Sequence, residues 1–254
     1  MAGRHLKANT SGYSDALMCE AEGLESLRSA LQLAGVSALR IPEVFSVSHR
    51  ELAMTAIGSR PAREESLRLL GEGLARLHHI KQTRYGWHRD NYIGLAPQPN
   101  GWHQTWGTFF VHQRLSFQVG RIRNSTLRQR FSESLDRYGV ELAAWFDTHC
   151  AQPSLLHGDL WNGNVLFDDD GPWLIDPAVY CGDREADLAM TEMFSGFGAA
   201  FYQAYDRINP RTEVYPRKRD IYNLYHYLNH YNLFGAGYLS GCERGFAVIE
   251  RIAG

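Results

Sequence analysis

The chain has 254 residues, 44% of them hydrophobic, and its 26 Lys+Arg against 28 Asp+Glu give a net charge of −2. That length holds one large domain or two lobes around a buried core, and the near balance of charge leaves no strong field to attract nucleic acid or an anionic membrane. No run reaches the length of a membrane-spanning helix and Met1 to Thr10 lacks the apolar stretch of a secretory signal, so the expected location is the cytoplasm.

Along the chain, Leu17 to Leu27 shows helical spacing of apolar residues, entered through Ser14 or Asp15 as a cap. Ile41 to Val47 and Glu51 to Ile57 read as an antiparallel strand pair, broken by Gly58-Ser59-Arg60-Pro61. From Glu64 to His79 the pattern turns helical, with Leu67, Leu70, Leu74 and Leu77 on one face. Tyr85 to Asn100, rich in Gly, Pro, Asn and Trp, reads as a loop. Arg128 to His149, Asp187 to Asp206 and Arg219 to Leu233 read as helices, the last carrying Tyr222, Tyr225, Tyr227 and Tyr231. The expectation is an α+β chain: a small mixed lobe over residues 1–58, then a larger, mostly helical lobe over 59–254, with the site in the cleft between them.

Between the helices read over 128–149 and 187–206 lies the stretch that carries chemistry. His157-Gly158-Asp159 is followed five residues later by Asn164, and Asp176 closes the apolar run Trp173-Leu174-Ile175. A phosphoryl-transfer site needs a carboxylate to accept the proton of an attacking hydroxyl and separate oxygen ligands for magnesium, and this order supplies Asp159 for the first task and Asn164 and Asp176 for the second. Asn164 to Phe167 and Trp173 to Ile175 read as two strands around the turn Asp168-Asp169-Asp170-Gly171, a hairpin that returns Asp176 to the side of Asn164. Asp169 and Asp170 are read as turn residues only.

Cys19, Cys150, Cys181 and Cys242 match no zinc or redox spacing and are read as reduced, mostly structural thiols, with Cys181 near Asp176 the one within reach of oxidants. His78-His79, His226 and His230 lie in helix-like, aromatic contexts where packing and hydrogen bonding are the commoner uses.

With these residues go Leu74-Ala75-Arg76-Leu77-His78, Gly86-Trp87, Asp90-Asn91-Tyr92-Ile93-Gly94, Gln98-Pro99-Asn100, Trp106 with Phe109-Phe110, Arg114-Leu115, Asp176-Pro177-Ala178-Val179-Tyr180, Gly182-Asp183-Arg184-Glu185-Ala186-Asp187 and Leu228-Asn229-His230. Together they resemble the fructosamine kinase (ketosamine kinase) family, within the aminoglycoside phosphotransferase and choline kinase superfamily, over nearly the whole chain. The resemblance implies a protein-kinase-like fold and ATP-dependent, magnesium-requiring phosphorylation of the 3-hydroxyl of a ketosamine, free or on a glycated protein, as a deglycation step. It assigns Asp159 as catalytic base and Asn164 and Asp176 as magnesium ligands, with Trp161 either a wall against the sugar ring or a packing residue. Lys7 resembles the lysine that contacts the nucleotide phosphates and Glu20 its helix partner, with Glu22 a competitor for that place. Met54, Thr55 and Ala56 fall where the hinge meets adenine, Thr55 standing where many relatives carry an acidic residue.

Only six residues precede Lys7, too few for the two strands and Gly-rich loop that such kinases place there. The expectations from this are weakened ATP binding, impaired activity, and an exposed sheet edge open to self-association. Rival readings are another small-molecule kinase, acting on an aminoglycoside, choline or homoserine, and a catalytically silent nucleotide binder. Arg211, Arg217, Lys218 and Arg219 weigh against a cationic substrate of the first kind.

Overall fold

The computed structural model describes residues 3–150 and 152–253. Strand β1 (Arg4–Ala8), helix α1 (Ala16–Leu33) and strands β2 (Val44–Val47) and β3 (Glu51–Thr55) form the small lobe, in which β3 is the central strand of an antiparallel sheet and Lys7 pairs with Leu52. Leu17, Leu24, Leu27 and Leu31 make the buried stripe of α1 and pack in one cluster with Leu52 and Met54. Each such leucine contributes about 1.5–3 kcal/mol by leaving water. Asp15 stands at the start of α1, but its carboxylate turns from the helix amides to the hydroxyl of Tyr92 at 2.6 Å and to Arg89 at 2.7 Å. The expected cap is therefore a tether to the segment that follows residue 85.

Helix α2 (Glu64–His78) adds Leu70, Leu74 and Leu77 to the same cluster, so the core runs on across residue 58 and the division there is a change of architecture within shared packing. The segment read as a loop contains four three-residue strands, β4 (Tyr85–Trp87), β5 (Asn91–Ile93), β6 (Ala96–Gln98) and β7 (Gly101–His103). Three residues are too few to display a two-residue alternation, and their Gly, Pro and Asn content hides them.

Helices α3 (Trp106–Phe109) and α4 (Phe117–Gly120) are joined by a π-helical stretch, Phe110–Ser116, and α5 (Ser125–His149) follows. α5 starts three residues earlier than its periodicity suggests because Asn124 accepts the amide of Leu127 at 3.0 Å. Strand β8 (Ser154–Leu156) leads to the hairpin β9 (Val165–Asp168) and β10 (Gly171–Leu174), with Val165 opposite Leu174 as the spacing predicts, and β11 (Tyr180–Gly182) completes a sheet of order β7-β4-β11-β8.

The single helix expected over 187–206 is two, α6 (Glu185–Met193) and α7 (Ala199–Ile208). Ser195, Gly196 and Gly198 take left-handed φ values of 74°, 67° and 85°, and the side chain of Asn162 donates to the carbonyls of Phe194 and Gly196 inside the bend. Helix α8 (Tyr215–Phe234) begins four residues before its expected start, with Pro216 in its first turn, and a further helix, α9 (Leu239–Ala253), packs beside it. Trp106, Phe110, Phe146 and Tyr222 centre this lobe, the rings of Phe146 and Tyr222 stacking at 5.1 Å. Cys181, expected within reach of oxidants, is fully buried in the lobe interface, and burial pushes its thiol up to about 12. No helix among the described residues is long and apolar enough to cross a membrane.

Candidate active site

The catalytic loop is set by a buried carboxylate that local spacing does not reveal. Asp187, on α6, accepts the backbone amides of His157 at 2.7 Å and Gly158 at 2.8 Å and the ring Nε2 of His78 at 3.2 Å, while Nδ1 of His78 meets Tyr205 at 2.9 Å. Burial alone would raise the pKa of Asp187; His78, His157 and the Gly158 amide outweigh it and hold the carboxyl below its usual range. Nε2 of His157 is tied to the carbonyl of Ile175 at 2.9 Å, which joins the loop to the strand before Asp176. Gly158 turns with φ 82°, and a Cβ there would stand 2.0 Å from the carbonyl oxygen of Ala178, so only glycine fits.

This support presents Asp159 to a cleft of about 230 Å³ between the lobes, lined also by Lys7, Glu20, Trp161, Asn164 and Asp176. Six of the nine residues singled out from sequence thus meet in one place. Asn164 donates its amide to the backbone and carboxylate oxygens of Asp159 at 2.8 and 3.2 Å, so its own side-chain oxygen is the group left to offer. Burial raises Asp159 to about 7, with the Asn164 hydrogen bond opposing and the nearby charges of Asp176 and Asp187 adding to the rise. A carboxyl poised there exchanges a proton near neutrality.

Across the cleft, Nζ of Lys7 pairs with Glu20 at 2.7 Å and with Asp176 at 3.0 Å. Burial works against the charge on Lys7, and the two carboxylates overcome it and raise its pKa, so it stays a cation. Burial, reinforced by the charge of Asp176, raises Glu20 against the pull of Lys7. Glu22 does not compete for the lysine: it meets His88 at 2.9 Å and the indole nitrogen of Trp87 at 3.3 Å. Asp176 holds a left-handed φ of 54°, a conformation that costs a non-glycine residue roughly 1–3 kcal/mol and marks a position fixed by its surroundings.

Met54, Thr55 and Ala56 lie outside the cleft lining. The Met54 side chain is core, and the amides of Thr55 and Ala56 are taken by the carbonyls of Glu43 and Gly3 at 2.9 and 2.8 Å. The lining instead includes Asn91, Tyr92 and Gly94, which sequence reasoning quoted only as family signature. Asn91 is oriented by bonds to Val179, Gln98 and Asn100 at 2.8–2.9 Å, and Arg114 closes the network on Asn100 beneath it.

Three of the four basic residues of the helical lobe named above, Arg211, Lys218 and Arg219, are paired with carboxylates. Lys218 is buried against Asp183 and Glu185 at 2.7 and 2.9 Å, Arg211 pairs with Asp206 and Glu192, and Arg219 with Glu192 and Asp220. Their presence therefore says little about the charge of a substrate.

Residues 4–251 match the profile described as fructosamine kinase. Similar proteins include a probable ketoamine kinase of Vibrio parahaemolyticus, 38% identical over 94% of this chain and 82% of the relative. The chloroplastic protein-ribulosamine 3-kinase of Arabidopsis thaliana is 40% identical over 72% of this chain and 56% of its own length. A crystal structure from Thermobifida fusca, assigned as a fructosamine-3-kinase, superposes with a TM-score of 0.82 at 29% identity, covering 98% of this chain and 86% of that one. An ADP-bound aminoglycoside phosphotransferase superposes at 0.57 with 15% identity over 98% and 93% of the two chains, which is a likeness of fold.

Proposed function

We propose, from the premise that the chain belongs to the fructosamine kinase family, that it transfers the terminal phosphoryl group of ATP to the 3-hydroxyl of a ketosamine, free or on a glycated protein. The phosphorylated adduct then decomposes and frees the amine, a deglycation repair. The observation that carries the reading is the meeting of Asp159, Asn164, Asp176, Lys7 and Glu20 in one cleft, drawn from both lobes.

Asp159 accepts the proton of the attacking hydroxyl, which suits a carboxyl raised to about 7 and held by Asn164. Lys7, kept charged by Glu20, meets the nucleotide phosphates. Adenine is assigned by the family resemblance to the strand end at Met54, Thr55 and Ala56, whose Thr55 and Ala56 amides are already taken by the carbonyls of Glu43 and Gly3. Asn164 and Asp176 would hold magnesium: the side-chain oxygen that Asn164 keeps free while its amide bonds Asp159, and the Asp176 carboxylate in the same cleft, are hard oxygens that suit an ion which fills its shell with phosphate and water. When bound, the ion offsets the charge of the transferring phosphate. Trp161 stands beside the base with its ring edge-on to Phe194, as a wall for the sugar.

The test is phosphate incorporation from ATP and magnesium into a ribulosamine and a fructosamine of lysine, read by mass spectrometry. A gain of one phosphate is expected, and Asp159→Asn lowers kcat roughly 10²–10⁴-fold with nucleotide binding kept. No transfer to either adduct, or a fully active variant, sinks the reading. β1 is the outer strand of its sheet and Leu6 on it is 58% exposed, so two copies would associate along that edge. Light scattering at high concentration checks this, and a strict monomer contradicts it.

A further inference from the structure

A line of aromatic rings leads out of the cleft from Trp161. Trp161 meets Phe194 edge to face at 5.5 Å, Phe194 meets His230 at 5.6 Å, and His230 meets Tyr238 at 4.9 Å and Phe234 at 5.6 Å. The rings come from four places: the catalytic loop, the bend between α6 and α7, the last turns of α8, and the short turn Ala236–Tyr238. Two of them are set by unusual backbone. Ser195, left-handed without being glycine, follows Phe194 directly, and the catalytic-loop residue Asn162 clamps that bend through the carbonyls of Phe194 and Gly196. Gly235, at φ 88°, ends α8 and folds Tyr238 back over His230.

Stability does not account for the outer rings. Phe234 is 63% exposed and Phe194, His230 and Tyr238 are half-buried, whereas core aromatics of the same lobe are sealed from water. An exposed aromatic surface continuous with a cleft is the kind that takes a ligand. In a ketosamine, the nitrogen stands only two carbon atoms from the carbon that bears the acceptor hydroxyl. With that hydroxyl at Asp159, whatever the nitrogen carries begins beside Trp161 and must leave the cleft over a neighbouring surface.

We propose that this ladder is the subsite for the amine-bearing part of the substrate, and that Phe194, Phe234 and Tyr238 make the enzyme favour ketosamines whose amine carries an extended apolar or aromatic group. The inference rests on the ketosamine reading above. The secondary amine of a ketosamine is a cation at neutral pH, and ring faces attract cations. Burial lowers the pKa of His230, so the middle of the ladder adds no opposing charge. Beyond the ammonium, Phe234 and Tyr238 offer 6.2 Å-spaced rings against which an apolar chain is shielded from water.

The test compares kcat/KM for the ribulosamine of phenethylamine with that of glycinamide, in the parent enzyme and in Phe234→Ser and Tyr238→Ser. The parent is expected to prefer the phenethylamine adduct about tenfold, and each variant to bring that ratio towards one. A variant that merely disturbs the fold lowers both values alike and leaves the ratio, which overturns the inference. So does a parent that phosphorylates both adducts equally well, an outcome that leaves the kinase reading intact. Phosphorylation of neither adduct removes the kinase reading, and the subsite with it.

Discussion

Two charge clusters flank the reacting position, and they are built on opposite rules. Beneath the catalytic loop, Asp187 is fully buried and meets His78 and two backbone amides, all of them groups that stabilise its charge. Across the cleft, Lys7 and Asp176 keep 30% and 42% of their side chains exposed, and one oxygen of Glu20 is buried with no hydrogen-bond partner. A half-solvated ion pair adds at most about 1 kcal/mol to stability, so Lys7 and its carboxylates are not explained as braces. The contrast separates the parts: the turn that presents Asp159, the proposed base, is secured by burial, while Lys7, the proposed phosphate contact, stays partly exposed to the cleft.

The hardest blow to that contrast is Asp187→Ala. It leaves His78 and the amides of His157 and Gly158 without an acceptor in a dry interior, and a loss of about 3–5 kcal/mol is expected in urea unfolding. A loss below about 1 kcal/mol means the buried cluster is not what holds the loop. Lys7→Met sharpens the other side, with an expected fall of roughly 100-fold in kcat/KM for ATP, about 2.7 kcal/mol of transition-state binding, and little change in unfolding free energy. Equal losses of stability in the two variants would erase the distinction.

The smallest expected effect is on pH. His226 is buried with its Nδ1 unpartnered, and burial pushes its pKa down to about 3, while His157 is also lowered by burial. Below about pH 6.5 the unfolded chain takes up protons on these rings and the folded chain does not. Their contribution to stability is therefore full above that pH and declines as pH falls, for His226 towards about 3 and by up to about 1.4 kcal/mol per unit, while the raised Asp159 carboxyl contributes a slope of opposite sign below about 7. Calorimetry at pH 7 and 5.5 reads the slope, and His226→Gln should shift it towards greater stability at the lower pH; a slope unchanged by the substitution removes His226 as a contributor.

What was legible in the sequence follows the distance between interacting residues. Asp159, Asn164 and Asp176 are brought together by one hairpin, so their spacing alone described the arrangement. Lys7 and Glu20 needed the family resemblance, because a strand and a helix separated by a loop leave no periodic mark. His78 and Asp187 are 109 residues apart, and no local pattern joins them. Gly196 and Gly198 were visible inside the supposed helix, but the left-handed turn at Ser195 depends on the clamp from Asn162. Lys218 read as a surface charge because its partners, Asp183 and Glu185, lie on another element.

The reach of the Asp187 contacts also bears on how the chain becomes active. His78 closes on Tyr205 across 127 residues and on Asp187 across 109, and such long loops are entropically costly to close early in folding. The hairpin that carries Asn164 and Asp176 forms from neighbours in sequence, but the backbone turn beneath Asp159 waits for α2, α6 and α7 to dock. Partly folded chains thus hold nearly all the reactive groups without the turn that aims them, and recovery of phosphotransfer after dilution from denaturant should trail the recovery of helix signal.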